Sequence, residues 1–160
     1  MIDIRQPRPY VKAMARILTA LTRLLLLASL LALVLVSGAW AGDANASNPG
    51  QCLDLKSLPV KGKTTLVDFY SPYCPPCMAM APVLDKLARK RPDLALRRVN
   101  INRPEVRGID WRSPLAEQLQ LRSVPHFMIF DPRGQLVAEG KAAIPQLKSW
   151  LQEAGLLQEQ

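Results

Sequence analysis

The chain of 160 residues, 49% hydrophobic and 21% charged, has the length and composition of one globular domain able to bury its own core. Its formal net charge of +8 does not point to nucleic acid, because half of it comes from the first 41 positions, with five basic residues and one acidic. The densest basic groups beyond them, Arg89-Lys90-Arg91 and Arg97-Arg98, have no interleaved aromatics on which bases could stack, and read as solvated faces.

The N-terminus reads as a targeting segment. Leu24 to Trp40 carries no charge and is preceded by Arg5, Arg8, Lys12, Arg16 and Arg23. Ala39-Trp40-Ala41 has the small-x-small pattern of a signal-peptidase site, so residues 1–41 are expected to be a signal peptide cleaved after Ala41. The basic stretch is long for such a peptide, and Met14 would open a more usual one. The apolar run also just reaches the length that spans a bilayer, which leaves an uncleaved anchor, with membrane contact through residues 24–40, as the other reading. Both place residues 42 onward outside the cytoplasm, where disulfides persist. The three cysteines, Cys52, Cys74 and Cys77, are an odd number, so one thiol lacks an internal partner.

Residues 42–51 are rich in Asn, Ala, Gly, Ser and Pro and are expected to be a flexible linker to a folded domain over 52–160. Thr64 to Tyr70 reads as a strand, and Cys77 to Arg91 as a helix with its apolar stripe at Met80, Val83, Leu84, Leu87 and Ala88. Leu94 to Ile101 reads as a second strand. Ser113-Pro114 offers an N-cap and a first-turn proline for a short helix ending at Leu121. His126 to Phe130 and Gln135 to Glu139 form a hairpin across the turn Asp131-Pro132-Arg133-Gly134. A helix over Pro145 to Ala154, ended by Gly155, completes the order β-α-β-α-β-β-α.

The chemistry concentrates in LVDFYSPYCPPCMAMAP, residues 66–82, where two cysteines stand at a strand-to-helix junction. A thiol in the first helical turn meets unpaired backbone N–H groups and the positive end of the helix dipole, which favour thiolate, so Cys74 is the expected nucleophile. Cys77, one turn on and on the same face, can resolve a mixed disulfide at Cys74. Pro75 and Pro76 stiffen the turn at little cost, since their missing N–H groups would be unpaired there anyway. Two rival readings stand beside redox exchange. Cys74, Cys77, Met78 and Met80 gather soft donors for copper binding or delivery, and the pair could also be a structural disulfide in a binding module.

At this point the chain resembles the thioredoxin superfamily over about Lys61 to Leu156. Tyr73 to Cys77, YCPPC, stands at the aromatic-Cys-x-x-Cys motif, and Pro82 at the proline that kinks the active-site helix. Asp68 in VDFY matches a buried acid, Ser123-Val124-Pro125 a cis-proline loop, and Gly134 a hairpin turn. The resemblance implies an α/β thioredoxin fold with a central mixed sheet flanked by helices. It also implies a Cys74–Cys77 redox disulfide, Asp68 as proton acceptor for Cys77, and substrate contacts from Tyr73, Pro75, Pro76, Val124 and Pro125. Arg98 occupies the place of a basic partner for Asp68. Lys61-Gly62-Lys63 before the strand and the CPPC motif resemble the membrane-anchored thiol reductases of cytochrome c biogenesis and related periplasmic thioredoxin-like proteins, although those usually carry a longer central insertion. VPHFMIFDPRG resembles anchored thioredoxin-like proteins that receive electrons from a membrane reductase. The implied protein reduces protein disulfides in the periplasm, free or anchored in the inner membrane, with a membrane thiol reductase as electron donor and neither cofactor nor metal. Glu105 to Ser113 looks like an added loop.

The resemblance weighs against copper, so Met78 and Met80 are assigned to packing. His126, the single histidine, is read as a packed strand residue and Cys52 as an idle thiol.

Overall fold

The computed structural model describes residues 43–157, so the signal or anchor expected over 1–41 lies outside the described residues. Strand β1, Thr64–Tyr70, is the axis of the fold, with every residue after Thr64 buried. It alternates Leu66, Asp68 and Tyr70 on one face with Val67 and Phe69 on the other, and both faces are covered.

Helix α1, Pro75–Lys90, carries the chain back to β2, Leu94–Asn100, which pairs parallel to β1. A helical crossover of this kind is what parallel neighbours need. The short α2, Pro114–Gln118, precedes β3, His126–Phe130, which pairs antiparallel to β1 and then to β4, Leu136–Glu139. After a 3-10 turn, α3, Ile144–Glu153, ends the fold, and Gly155 at φ +64° follows it in the left-handed region. The sheet order is β2-β1-β3-β4. Leu66 packs with Leu84 and Leu87 of α1 and Leu147, Trp150 and Leu151 of α3. Val67 and Phe69 pack on the other face with Leu115 and Ala116 of α2.

The local signals read from sequence act as expected. Ser113 Oγ accepts the Ala116 N–H at 3.1 Å, capping α2. Pro75 and Pro76 occupy the first turn of α1, and Pro82 lies inside it, where the Met78 carbonyl loses a helical donor. Both helix starts are therefore written in the local chain.

Residues 43–50 differ from the flexible linker expected of their composition: they pack along the open edge of β2. Asp43 bridges in parallel to Arg98, and the Ala44 N–H donates to the Arg98 carbonyl at 2.7 Å. The buried Asn45 side chain both donates to the Asn100 carbonyl at 2.8 Å and accepts the Asn100 N–H at 3.0 Å. An asparagine amide thus stands in for a strand neighbour, satisfying edge groups that composition gives no reason to pair with it.

Gly50 closes this strap. Its φ is +75°, and a Cβ there would lie 2.6 Å from the Arg103 backbone nitrogen. Gly50→Ala is expected to destabilise the fold by about 1–3 kcal/mol, read as a lower urea midpoint at unchanged slope. An unchanged midpoint would mean that residues 43–50 contribute nothing to the folded state.

Candidate active site

The end of β1 turns into α1 through Ser71, whose carbonyl accepts the Cys74 N–H at 3.1 Å while its Oγ accepts the Tyr73 N–H at 3.1 Å. This turn leaves Cys74 extended at the N-cap of α1, with Sγ accepting the Cys77 N–H at 3.2 Å. Cys74 and Cys77 form a disulfide of S–S distance 2.09 Å. On reduction the same N–H, together with the helix dipole, is placed to stabilise a Cys74 thiolate.

The sulfurs are sunk below a rim. Cys74 is 2% exposed and Cys77 fully buried, packed with Tyr70, Ile109 and Val124. Around them Tyr73, Pro75 and Pro76 are exposed. The Val124 carbonyl oxygen lies 3.6 Å from Cys74 Sγ, and the Val124–Pro125 peptide is cis. Beyond Pro125 a groove of about 340 Å³ runs between Ser123, His126, Lys141 and Ile144.

Asp68 sits on the sheet face that α1 covers, and none of its surface is exposed. Among the described residues neither carboxylate oxygen has a hydrogen-bond partner, and Arg98 Nε is 3.6 Å from Oδ2. Burial raises the carboxyl from 3.8 to about 6, against the lowering pull of Arg98. The basic partner that the resemblance places at Arg98 is present as an ion pair, with β1 and β2 in register at Asp68 and Arg98.

Residues 56–153 match the thioredoxin family across the strand, disulfide helix, cis-proline and hairpin just described. The chain belongs to the thioredoxin family. It is 37% identical over 90 residues to thioredoxin 1 of Synechococcus elongatus, covering 56% of this chain and 72% of that protein. It is 34% identical over 94 residues to a thioredoxin-like protein of Fusarium culmorum, covering 57% and 71%. The crystal structure of thioredoxin from Trypanosoma brucei brucei superposes with a TM-score of 0.51 at 16% identity over 74% of this chain and 93% of that one, a likeness of fold.

As a thioredoxin-family protein with a disulfide-forming Cys pair, the chain is a thiol:disulfide oxidoreductase. Among the described residues no group of three or more His, Cys, Asp and Glu is placed to hold a metal ion. Met80 packs against the core on the α1 and α3 side, whereas Met78 is 47% exposed, so the packing role expected for Met78 does not hold. It falls outside the buried stripe of α1, Cys77, Ala81, Leu84 and Leu87. His126 is a strand residue edge-on to Phe69, with Nε2 3.2 Å from Glu139 Oε1. Cys52 is an exposed free thiol with Sγ 3.7 Å from the Pro114 carbonyl.

Two features of the site escape sequence reasoning. The loop read only as an addition brings Ile109 against the disulfide. It is held by Arg103, whose Nε and Nη2 donate to Asp110 at 2.7 and 3.1 Å, an acid only 3% exposed. The other is the Tyr70 hydroxyl, which donates to Asp43 Oδ2 at 2.7 Å. The apolar Ile109 between Gly108 and the acid Asp110 was the available signal for the first; the second had none, since Asp43 lies in a stretch with the composition of a linker.

Proposed function

We propose that this thioredoxin-family protein reduces protein disulfides outside the cytoplasm and is recharged by a membrane thiol reductase. The observation that carries the redox step is Cys74 Sγ at the N-cap of α1, accepting the Cys77 N–H beside the Val124 carbonyl. The uncharged Leu24 to Trp40 run behind a basic segment supports the location, either as a removed signal or as an inner-membrane anchor.

In this reading the Cys74 thiolate attacks one sulfur of the substrate disulfide, whose other sulfur leaves as thiolate. Tyr73, Pro75 and Pro76 and the Val124–Pro125 backbone form the surface against which the substrate chain lies. Cys77 then gives its proton to the Asp68 carboxylate and attacks Cys74 Sγ, releasing the second substrate thiolate and closing the Cys74–Cys77 disulfide. Two electrons have passed to the substrate. No cofactor takes part, and a dithiol donor must return the electrons before the next cycle.

Cys77→Ser is expected to accumulate mixed disulfides through Cys74, seen as reductant-sensitive adducts on gels, while Cys74→Ser accumulates none. Equal trapping by both variants, or by neither, would reject the assignment. The Cys74–Cys77 reduction potential tests direction: a value near roughly −270 mV fits a reductase, and one near roughly −120 mV an oxidant.

A further inference from the structure

Three side chains that the exchange itself does not use lead from the surface to Asp68. Asp43 pairs in parallel with Arg98, and Arg98 with Asp68, so the three residues stand abreast on adjacent extended segments, their side chains on one face. A single guanidinium therefore lies between two carboxylates. It makes an ion pair with the buried one, at 3.6 Å, and not with the exposed one.

Tyr70 accounts for that choice. Its hydroxyl donates to Asp43 Oδ2 at 2.7 Å, which occupies the exposed acid and holds the ring in place. The Arg98 guanidinium carbon lies 4.2 Å from the centre of that ring, a cation–π contact that sets the plane of the group. Arg98 Nε and Nη2 are buried without a hydrogen-bond partner among the described residues, as are both oxygens of Asp68. Among the described residues the Tyr70 ring and the Asp68 carboxylate are the two groups placed against the guanidinium, so a shift of the ring changes how Arg98 meets the acid.

We propose that Asp43 is a positioning residue for the proton acceptor: through the Tyr70 hydroxyl it holds Arg98 against Asp68. The N-terminal strap thereby sets the pH at which the resolving thiol is released. The proposal rests on the reading that Asp68 receives the Cys77 proton. The charged and titratable groups that act on Asp68 are Arg98 from β2, Asp43 from the strap and Asp85 from α1, with Tyr70 beside it on β1. Arg98 lowers the proton affinity of Asp68 and Asp43 raises it, so the sign of the shift in Asp43→Ala shows whether the lost position of the first or the lost charge of the second dominates.

The test is the pH profile of mixed-disulfide resolution, measured in single turnover with an unlabelled disulfide peptide, alongside titration of the Asp68 carboxyl carbon by NMR. Asp43→Ala and Tyr70→Phe are expected to move both midpoints upward by about half a pH unit or more, an approximately threefold change at fixed pH. Asp43→Asn keeps an acceptor for the hydroxyl and is expected to leave the midpoints no higher than in the unaltered protein. A purely electrostatic Asp43 would instead lower them in both Asp43 variants, and a merely structural one would change melting temperature without moving them; either result overturns the proposal. Asp68→Asn separates the two levels. If it removes the titration while Asp43→Ala and Tyr70→Phe do not shift it, the positioning role alone falls; if it leaves the titration intact, the Asp68 reading falls and takes the positioning role with it.

Discussion

Replacing Cys74 with serine is expected to lower the rate of reduction of a disulfide-bonded reporter such as insulin by on the order of 10³-fold or more, about 4 kcal/mol in barrier. A serine hydroxyl stays protonated at neutral pH and cannot form the mixed disulfide, so both the nucleophile and the intermediate are lost. Cys77 cannot take over, because it is fully buried within the first turn of α1, while Cys74, although only 2% exposed, stands at the N-cap beside the Val124 carbonyl and the exposed rim. A turbidity assay under dithiothreitol measures this directly. Activity above about a tenth of the unaltered rate would mean that Cys77 attacks substrate itself, and the two roles would have to be exchanged.

Asp68→Asn is expected to make the protein more stable and a slower catalyst. A carboxyl raised from 3.8 to about 6 binds its proton more tightly folded than unfolded, so its stabilising contribution is complete below about pH 4 and is lost as pH rises through 6. By pH 7 the ionised, buried group costs about 3 kcal/mol relative to that low-pH limit. Asparagine removes the charge but leaves an amide short of partners, which trims the expected gain at pH 7 to about 2 kcal/mol. Urea melts at pH 4 and pH 7 check it: the variant should gain at pH 7 and show little difference at pH 4. If the unaltered protein were equally stable relative to the variant at both values, Asp68 would have to be solvated or better paired than its buried, unbonded oxygens indicate.

The value of such a costly group lies in the same number. A carboxylate that titrates near neutrality can accept a thiol proton and give it up again within one cycle, whereas a solvated aspartate would be too weak a base. The stability lost at Asp68 and the function proposed for it have one cause, burial.

Much of the framework was legible along the chain because its signals are local. β1 and β3 have the bounds that their apolar, β-branched and aromatic residues imply, Thr64–Tyr70 and His126–Phe130. Ser113 and the prolines at 75, 76 and 114 mark helix starts because capping and the missing N–H act within one turn. Helix ends were less legible: α2 stops at Gln118 rather than Leu121, where Gln120 at φ +50° turns the chain so that Leu121 enters the core. The strap at 43–50 was hidden for a different reason. Its polar, flexible composition is that of a linker, and its order comes from Asn45 and Gly50 meeting β2 and the chain after it, some fifty residues away.

The cysteine pair, its place at a strand-to-helix turn and the alternation that buries Asp68 are properties of neighbouring residues, and the amino-acid order by itself determined them. The proton affinity of Asp68, the choice of Arg98 for the buried acid over the exposed one, and the seating of Ile109 on the disulfide were decided only by the tertiary structure. Desolvation and ion pairing are sums over groups that the fold alone brings together, and a carboxylate's worth as a base cannot be read from the residues beside it in the chain.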